Sequence, residues 1–393
     1  MIRINLLPAE YGDSILISIG NNNIFNILID GGTSKTYDNF LKKEITLIKN
    51  LNQKLNLVIC THMDYDHISG LIKIVSNCES QFIESMWYNG FLQVINKRYF
   101  SNNHLLKEDN QILDKIISRY APYDNTSKNI SINDGMSLGV LLENKNIPIN
   151  KITNGSAIST EFINKPINIT TDTQIILLSP NKNSLLDLEN YWKNEMVSKN
   201  YRFTVSNKLR LTEAFEYQLE TIKSHYSFEK INISSSENLE KYLNCLNISD
   251  NSVTNKSSIS FILKHLDYTF LFLGDVVIDD TILNNIEKYV GHSYNFTAIK
   301  VPHHGSRYNI NNQFIKRYTA NEYYFLTNSK RFNHPDLSVI ASIICSNKRK
   351  KTFFFNYPLE KILFLSNSTL KEKYNYEIII GTGTSPIERN FYE

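Results

Sequence analysis

The chain has 393 residues, 41% hydrophobic and 21% charged, with a net charge of +3. This is ordinary globular composition, long enough for one large domain with insertions or for two domains, and it excludes a disordered or membrane-embedded class. The charge is too mildly basic to mark a dedicated nucleic-acid binder, although it leaves room for a local basic groove.

Short alternating or apolar runs at 2–7, 14–19 and 24–29, broken by Gly12-Asp13 and Gly20-Asn21-Asn22-Asn23, predict three strands joined by tight turns. Residues 37–51 carry apolar side chains at helical spacing. The run 55–60 is apolar except for Asn56, the pattern of a strand buried on both faces. A helix over 67–75 and a strand over 82–88 follow. From 89 to 255 the alternation loosens. Helices are predicted near 105–120, 185–197 and 209–221, with one strand at 174–178 and polar segments at 144–150 and 234–238. From Ser257 the order returns: strands 259–263 and 269–273, helix 279–289, strand 296–301, helix 312–318, strand 322–326, helix 337–345, then strands 361–364 and 377–380. The expected organisation is a core built from 1–90 and 255–393. It carries a mostly helical insertion, 91–254, that includes a core strand near 174–178. No Gly/Ser/Pro linker marks the insertion's edges.

The four cysteines, Cys60, Cys78, Cys245 and Cys345, form no CxxC pair, so neither a disulfide framework nor a cysteine zinc site is expected. Cys60 and Cys78 read as small core residues. No apolar run approaches the ~20 residues that span a bilayer. The N-terminus lacks a signal-peptide pattern, so the expected location is cytoplasmic, away from membranes. The basic run Lys348-Arg349-Lys350-Lys351 reads as a solvated turn after a helix, with a phosphate-contacting patch as the alternative.

The chemistry concentrates after the buried strand, in His62-Met63-Asp64-Tyr65-Asp66-His67. Two imidazoles and two carboxylates are crowded into six residues at a strand end. There the chain can point alternate side chains at one spot, and open α/β sheets place their sites outside such ends. A polar surface loop is the alternative, but it does not explain this pattern running into Ile68-Ser69-Gly70. Later come Leu273-Gly274-Asp275, Val301-Pro302-His303-His304-Gly305-Ser306 and Arg331-Phe332-Asn333-His334-Pro335. His104, His225, His265 and His292 stand outside any motif and read as surface or core residues.

These segments resemble the metallo-β-lactamase fold superfamily, whose His-x-His-x-Asp-His motif reappears with Asp64 at the second His. That substitution is similar to the hydrolase domain of ComEC-type DNA-uptake proteins and its stand-alone relatives. Residues 7–14 (Leu-Pro-Ala-Glu-Tyr-Gly-Asp-Ser) and Leu28-Ile29-Asp30-Gly31-Gly32 resemble the N-terminal strands of that subgroup. Trp87-Tyr88-Asn89-Gly90 and Leu178-Ser179-Pro180 resemble the stand-alone relatives. Ser69 departs from the usual Gly, which is expected to alter the turn slightly. The resemblance covers 1–90 and 255–345 well and the middle weakly.

It implies an α/β fold, the four-layer αββα sandwich, with two divalent metal ions at one edge. By the resemblance His62 and Asp64 hold one metal and Asp66 and His67 the other, with Asp275 bridging. Where the superfamily has a third His, ahead of the two strands before Asp275, this chain has Asn255. The site therefore looks oxygen-rich, which favours Mn²⁺ over Zn²⁺, with Mg²⁺ also compatible. His303, close after its strand, is expected to complete the second metal. His334, with Asp66, is the candidate for catalytic work, protonating the leaving oxygen or binding phosphate. Asp30 is expected to orient a ligand His. His304 and Ser306 are assigned supporting or substrate roles.

The function this favours is a two-metal phosphodiesterase, a nuclease acting on DNA or another nucleic acid. The resemblance of the stand-alone relatives to anti-phage components adds a defence role. The alternatives are hydrolysis of a small ester, thioester, lactone or lactam, which usually accompanies the full His set, and a scaffold that binds a protein partner through the insertion. A scaffold would have no need of the motif carboxylates and later histidines.

Overall fold

The computed structural model describes residues 1–95, 107–120, 137–203, 208–220, 239–243, 246 and 249–392. The polar segment 234–238, His104, His225 and Cys245 lie outside them.

Strands form where β-branched and aromatic residues alternate between two apolar environments. In chain order they are β1 (Ile2–Leu6), β2 (Ile15–Ile19), β3 (Phe25–Ile29), β4 (Leu57–Ile59), β5 (Met86–Trp87), β6 (Ile167–Thr170), β7 (Thr173–Ser179), β8 (Ser260–His265), β9 (Tyr268–Phe272), β10 (Tyr294–Lys300), β11 (Tyr318–Phe325), β12 (Lys351–Phe355), β13 (Tyr376–Ile380) and β14 (Ile387–Phe391). They build a six-stranded sheet of order β14-β1-β2-β3-β4-β5 and an eight-stranded sheet of order β13-β12-β11-β10-β9-β8-β7-β6. In the first sheet β3, β4 and β5 are parallel; in the second, β9 to β13 are.

Alternation along the strands divides the core into three layers. Ile2, Ile4, Leu6, Ile15, Ile17, Phe261, Leu263, Phe270, Phe272, Tyr324 and Phe354 fill the space between the sheets. Leu16, Leu28 and Val58 turn the other way, onto helices that include Lys42–Asn50 and Tyr65–Asn77. Ile262, Leu271, Tyr323, Phe325, Phe353 and Phe355 face helices Asp280–Val290 and Leu337–Cys345. Helix, sheet, sheet, helix is the resulting order.

Strands β6 and β7 come from within 91–254 and extend the second sheet. Helices Leu138–Asn144, Lys182–Ser198 and Lys208–Glu220 instead thicken the outer layer of the first sheet, around Phe91, Trp192 and Phe215. The expected strand 361–364 is instead part of a 3₁₀ helix, Glu360–Ser366, because Ile362 and Leu365, three apart, are its buried residues. The basic run is not all solvated: Lys351 is fully buried at the start of β12, its amine bonded to the Ile344, Asn347 and Arg349 carbonyls. Among the described residues no helix is long and apolar enough to cross a membrane.

Candidate metal centre

The candidate residues gather where parallel strands end. Asp30 follows β3, His62 to His67 follow β4, Asp275 follows β9, His303 and His304 follow β10, and His334 follows β11. The β1–β2 loop, with Tyr11, Gly12 and Asp13, closes the ring.

The motif straddles a strand end and a helix start. Asp64 is extended (φ −74°, ψ 141°) ahead of helix Tyr65–Asn77, and its carbonyl accepts the His67 and Ile68 amides. His62 and Asp64, two apart on extended chain, point to one side, while Asp66 and His67 lie in the first helical turn. Ser69 does not disturb the turn: it lies inside the helix and its hydroxyl donates to the Tyr65 carbonyl at 2.5 Å. Gly70 is the residue the packing requires. A Cβ there would fall 1.9 Å from the Gly31 carbonyl oxygen. This contact seats the helix against the end of β3.

Asp275 is fully buried, and four imidazole Nε2 atoms surround its Oδ2: His62 at 3.8 Å, His67 at 3.5 Å, and His303 and His304 both at 3.6 Å. In each ring the other nitrogen faces an acceptor. The Asp30 carboxylate lies 2.8 Å from His67 Nδ1. The Leu326 carbonyl lies 2.9 Å from His304 Nδ1. The Asn309 side-chain oxygen lies 2.9 Å from His303 Nδ1, and the Asn309 amide nitrogen donates to Asp275 O and Asp250, which fixes its orientation. Thr61 Oγ1 lies 3.0 Å from His62 Nδ1, and its own hydrogen goes to Asp30. These acceptors assign the proton to Nδ1 in His67, His303 and His304 and leave their Nε2 lone pairs aimed at one place, whereas His62 faces Thr61 through Nδ1 and the Asp64 carboxylate through Nε2, each at 3.0 Å.

The donor set fits divalent cations. Both Asp275 oxygens and the Nε2 atoms of His67 and His304 are buried without a hydrogen-bond partner, a cost that a cation would remove. Asp66, His67 and His304 could hold one ion, and His62, His67 and Asp275 lie close enough to share another. His62 Nε2 is 3.0 Å from Asp64 Oδ2, within reach of a common ion. Against its burial, His304, His303 and His67 hold the Asp275 carboxyl well below the usual carboxylate range.

The arrangement corrects one expectation. His304, not His303, is brought to the Asp66–His67 pair, 3.9 Å from Asp66 Oδ2. Both residues have left-handed backbones (φ 45° at His303, 54° at His304), and the Asn309 and Leu326 acceptors turn their rings to different sides. His303 lies toward the Asn255 side instead. Asn255 stands behind His303, 3.4 Å from Nδ1, and donates to Asp250 at 2.5 Å. His334 packs on His303 with ring centroids 5.1 Å apart, one ring out from Asp275. Ser306 Oγ accepts the Tyr308 amide and so shapes the turn rather than a ligand ring. His265 is buried against Thr173, and His292 is on the surface.

The sequence reading missed Asp13, Lys300, Asp250 and Asn309. Lys300 is a buried lysine paired with Asp13; it donates to the Gly274 carbonyl at 2.9 Å and lies 3.6 Å from Asp275 Oδ1. Against its burial, Lys300 and then His304 hold the Asp13 carboxyl at about 2. The available signal was a lysine ending an otherwise apolar strand.

Residues 7–79 match the metallo-beta-lactamase superfamily model, spanning β2 to β4 and the ligand motif. The chain has the metallo-β-lactamase fold. The superfamily match supports hydrolase chemistry and divalent-metal binding for this edge of the sandwich. No curated protein matches the chain. Among solved structures it is similar to the metallo-beta-lactamase fold protein YhfI from Bacillus subtilis, with 8% identity and a TM-score of 0.37, covering 99% of this chain and 100% of that one. It is similar to Zn(2+)-bound PqqB from Methylobacterium extorquens, with 8% identity and a TM-score of 0.37, covering 100% of both. It is also similar to a long form RNase Z from yeast, with 10% identity and a TM-score of 0.34, covering 90% of this chain and 36% of that one.

Proposed function

We propose that the chain is a two-metal phosphodiesterase that cleaves nucleic acid. The observation that carries the reading is the convergence of four imidazoles on the Asp275 carboxylate. In this assignment His62, Asp64 and His303 serve the first ion, Asp66, His67 and His304 the second, and Asp275 both. Each ion then receives two imidazoles and two carboxylates, more oxygen than a three-histidine site offers, and this favours Mn²⁺ with Mg²⁺ or Zn²⁺ as substitutes. Such a pair of cations would supply an activated water and neutralise the charge on a phosphodiester.

The chain's own residues do the rest. Asp30 holds His67, and through Thr61 it holds His62. Lys300 and Asp13 fix the back of Asp275 and His304. His334, beside His303 at the outer side of the cluster, is positioned to give a proton to the leaving oxygen or to meet a phosphate oxygen. On the resemblance alone we extend the reading to anti-phage defence. Expression of the chain should lower plaque formation, and Asp66→Ala should restore it.

The test is cleavage of single- and double-stranded DNA and RNA with Mn²⁺, Mg²⁺ or Zn²⁺, comparing the wild type with the double variant Asp66→Ala, His67→Ala. Mn²⁺-dependent cleavage abolished in the variant is the expected result. Metal binding with no nucleic-acid cleavage would turn the reading to small esters, and absence of metal binding would end it.

A further inference from the structure

At the mouth of the metal centre lies a cluster that metal binding does not use. The rings of Tyr11 and Phe332 meet edge to face, centroids 6.2 Å apart at 78°. The Arg331 guanidinium lies over both, 5.0 Å from the Tyr11 centroid and 5.1 Å from that of Phe332. Phe332 also stacks on His334, at 6.3 Å and 22°. On the opposite side the β1–β2 loop lies against the motif: a Cβ on Gly12 would fall 1.7 Å from the Asp66 carbonyl oxygen. Burial, then the Asp66 charge against the pull of Arg331, raises the Tyr11 hydroxyl above its ordinary value. The cluster therefore borders the ligand set at one remove: Phe332 reaches His303 through His334, and Gly12, next to Tyr11, meets the Asp66 backbone.

Core packing does not account for these residues. Tyr11 and Phe332 belong to none of the three apolar clusters. Arg331 is exposed, Tyr11 and Phe332 are half-buried, and Tyr65 stands beside them 42% exposed. The loop is held from behind by Lys361, whose amine donates to the carbonyl and side-chain oxygens of Asn333. The exposed Arg331 guanidinium, backed by the Tyr11 and Phe332 rings, offers a flat outer face to a base and fork-shaped donors to a phosphate.

We propose that Tyr11, Arg331 and Phe332 form a stacking platform for the nucleotide next to the scissile phosphate, which makes the substrate single-stranded nucleic acid. The inference rests on the phosphodiesterase reading. Bases paired inside a duplex do not present a face to side chains, whereas the bases of a single strand do. The platform borders the metal centre, so the base it holds is the one beside the cleaved bond.

The experiment has a binding arm and a cleavage arm, both on the full chain. A labelled oligothymidylate and its duplex with oligoadenylate are titrated in EDTA by fluorescence anisotropy. The variants are Phe332→Ala, Arg331→Ala and Phe332→Tyr, each checked for an unchanged thermal unfolding transition. The wild type should prefer the single strand, Phe332→Ala and Arg331→Ala should each lose about tenfold in affinity for it, and Phe332→Tyr should retain it. With Mn²⁺, the wild type should cut a normal strand faster than one with an abasic residue at the cleaved position, and Phe332→Ala should narrow that ratio. Equal affinity for strand and duplex, or alanine variants that bind like the wild type, overturns the platform. If that happens while Mn²⁺-dependent cleavage persists, the phosphodiesterase reading survives alone. Selective binding lost in the variants, with no cleavage of any strand, leaves a single-strand-binding surface but ends the phosphodiesterase reading and, with it, the platform's place beside a cleaved bond.

Discussion

Two buried polar clusters lie on either side of the first sheet's strand ends, and they differ in how completely they are paired. Around Glu216, on helix Lys208–Glu220, the carboxylate accepts from the Tyr88 hydroxyl and from the Leu138 and Gly139 amides at 2.8 and 2.7 Å. Tyr88 in turn exchanges two backbone bonds with the Asn150 side chain. Around Asp275 both carboxylate oxygens and the Nε2 atoms of His67 and His304 are buried without a hydrogen-bond partner. Folding alone explains the first cluster, which pins the helical layer to the end of β5. Folding alone does not explain the second, because unpaired buried polar atoms cost stability unless something else pairs them. Left-handed backbone occurs in both clusters, at Asn150 in the first, a residue type that adopts it more readily, and at two histidines in the second. His303 and His304 hold left-handed conformations that cost about 1 kcal/mol or more for residues of this kind, and such strain concentrates at functional sites.

The largest effect should come from breaking the open cluster at its centre. Asp275→Asn removes the charge that all four imidazoles face. Removing a group that merely supports a ligand costs about 10- to 100-fold in metal affinity, so the central ligand should cost more than about 100-fold. Calorimetric titration with Mn²⁺ measures it, and unchanged stoichiometry and affinity in the variant would contradict the assignment. Urea unfolding without metal should move the same way: the lowered Asp275 pKa means that the native surroundings favour its charge, so the metal-free variant should be less stable than the wild type.

The closed cluster should respond to pH instead. Burial pushes the Glu216 carboxyl up to about 7, against the pull of Tyr88 and the two amides. A native pKa above the unfolded value means that the unfolded chain releases its proton first. From the ordinary glutamate value up to about pH 7 the native state holds more protons than the unfolded one. Stability therefore falls as pH rises through that window and levels off above it, by about 3 kcal/mol in total. Glu216→Gln should flatten this slope. The readout is the change in urea midpoint between pH 5 and pH 8, wild type minus variant; equal slopes would refute the charge assignment.

What could be read from the sequence follows from how far each partner lies along the chain. The motif at 62–67 was legible because four donors lie within six residues after an apolar strand. The αββα layering was legible only through the resemblance that the motifs carry; the structure shows its physical basis in strands such as β2 and β9, which alternate their side chains between two apolar layers. The division of labour between His303 and His304 was not legible. They are neighbours, and only the distant Asn309 and Leu326 acceptors decide which way each ring turns. Lys300 was invisible as a site residue because its counter-charge, Asp13, comes from another sheet. Strand β14, Ile-Glu-Arg-Asn-Phe, escaped notice because it is an edge strand with only Phe391 buried. Strand β12 was hidden behind the basic run in which it begins.

A smaller effect should separate the supporting shell from the ligands. Asp30→Asn keeps the size of the side chain but weakens its hold on His67 Nδ1 and, through Thr61, on His62. Mn²⁺ affinity should fall about 10- to 100-fold while the stoichiometry stays the same, and this distinguishes an orienting carboxylate from a ligand. Loss of a whole equivalent of metal would make Asp30 a ligand instead.

The smallest predicted effect tests whether pairing alone distinguishes the clusters, using a third buried centre. The Lys351 amine donates to the Ile344, Asn347 and Arg349 carbonyls, at 3.3, 2.6 and 3.3 Å, and closes the end of helix Leu337–Cys345. This is the closed kind of cluster, so its loss should lower stability and leave the metal centre alone. Lys351→Met keeps the apolar stem and removes the donors. Water replaces part of what the carbonyls lose near the helix end, which sets the cost at about 1–2 kcal/mol. The neighbouring Lys350, exposed on the same run, should cost less than about 0.5 kcal/mol when changed to Ala. Urea midpoints measure both. Equal costs would return Lys351 to the solvated turn that the basic run first suggested, and a change in Mn²⁺ affinity would show that the clusters are coupled rather than separate.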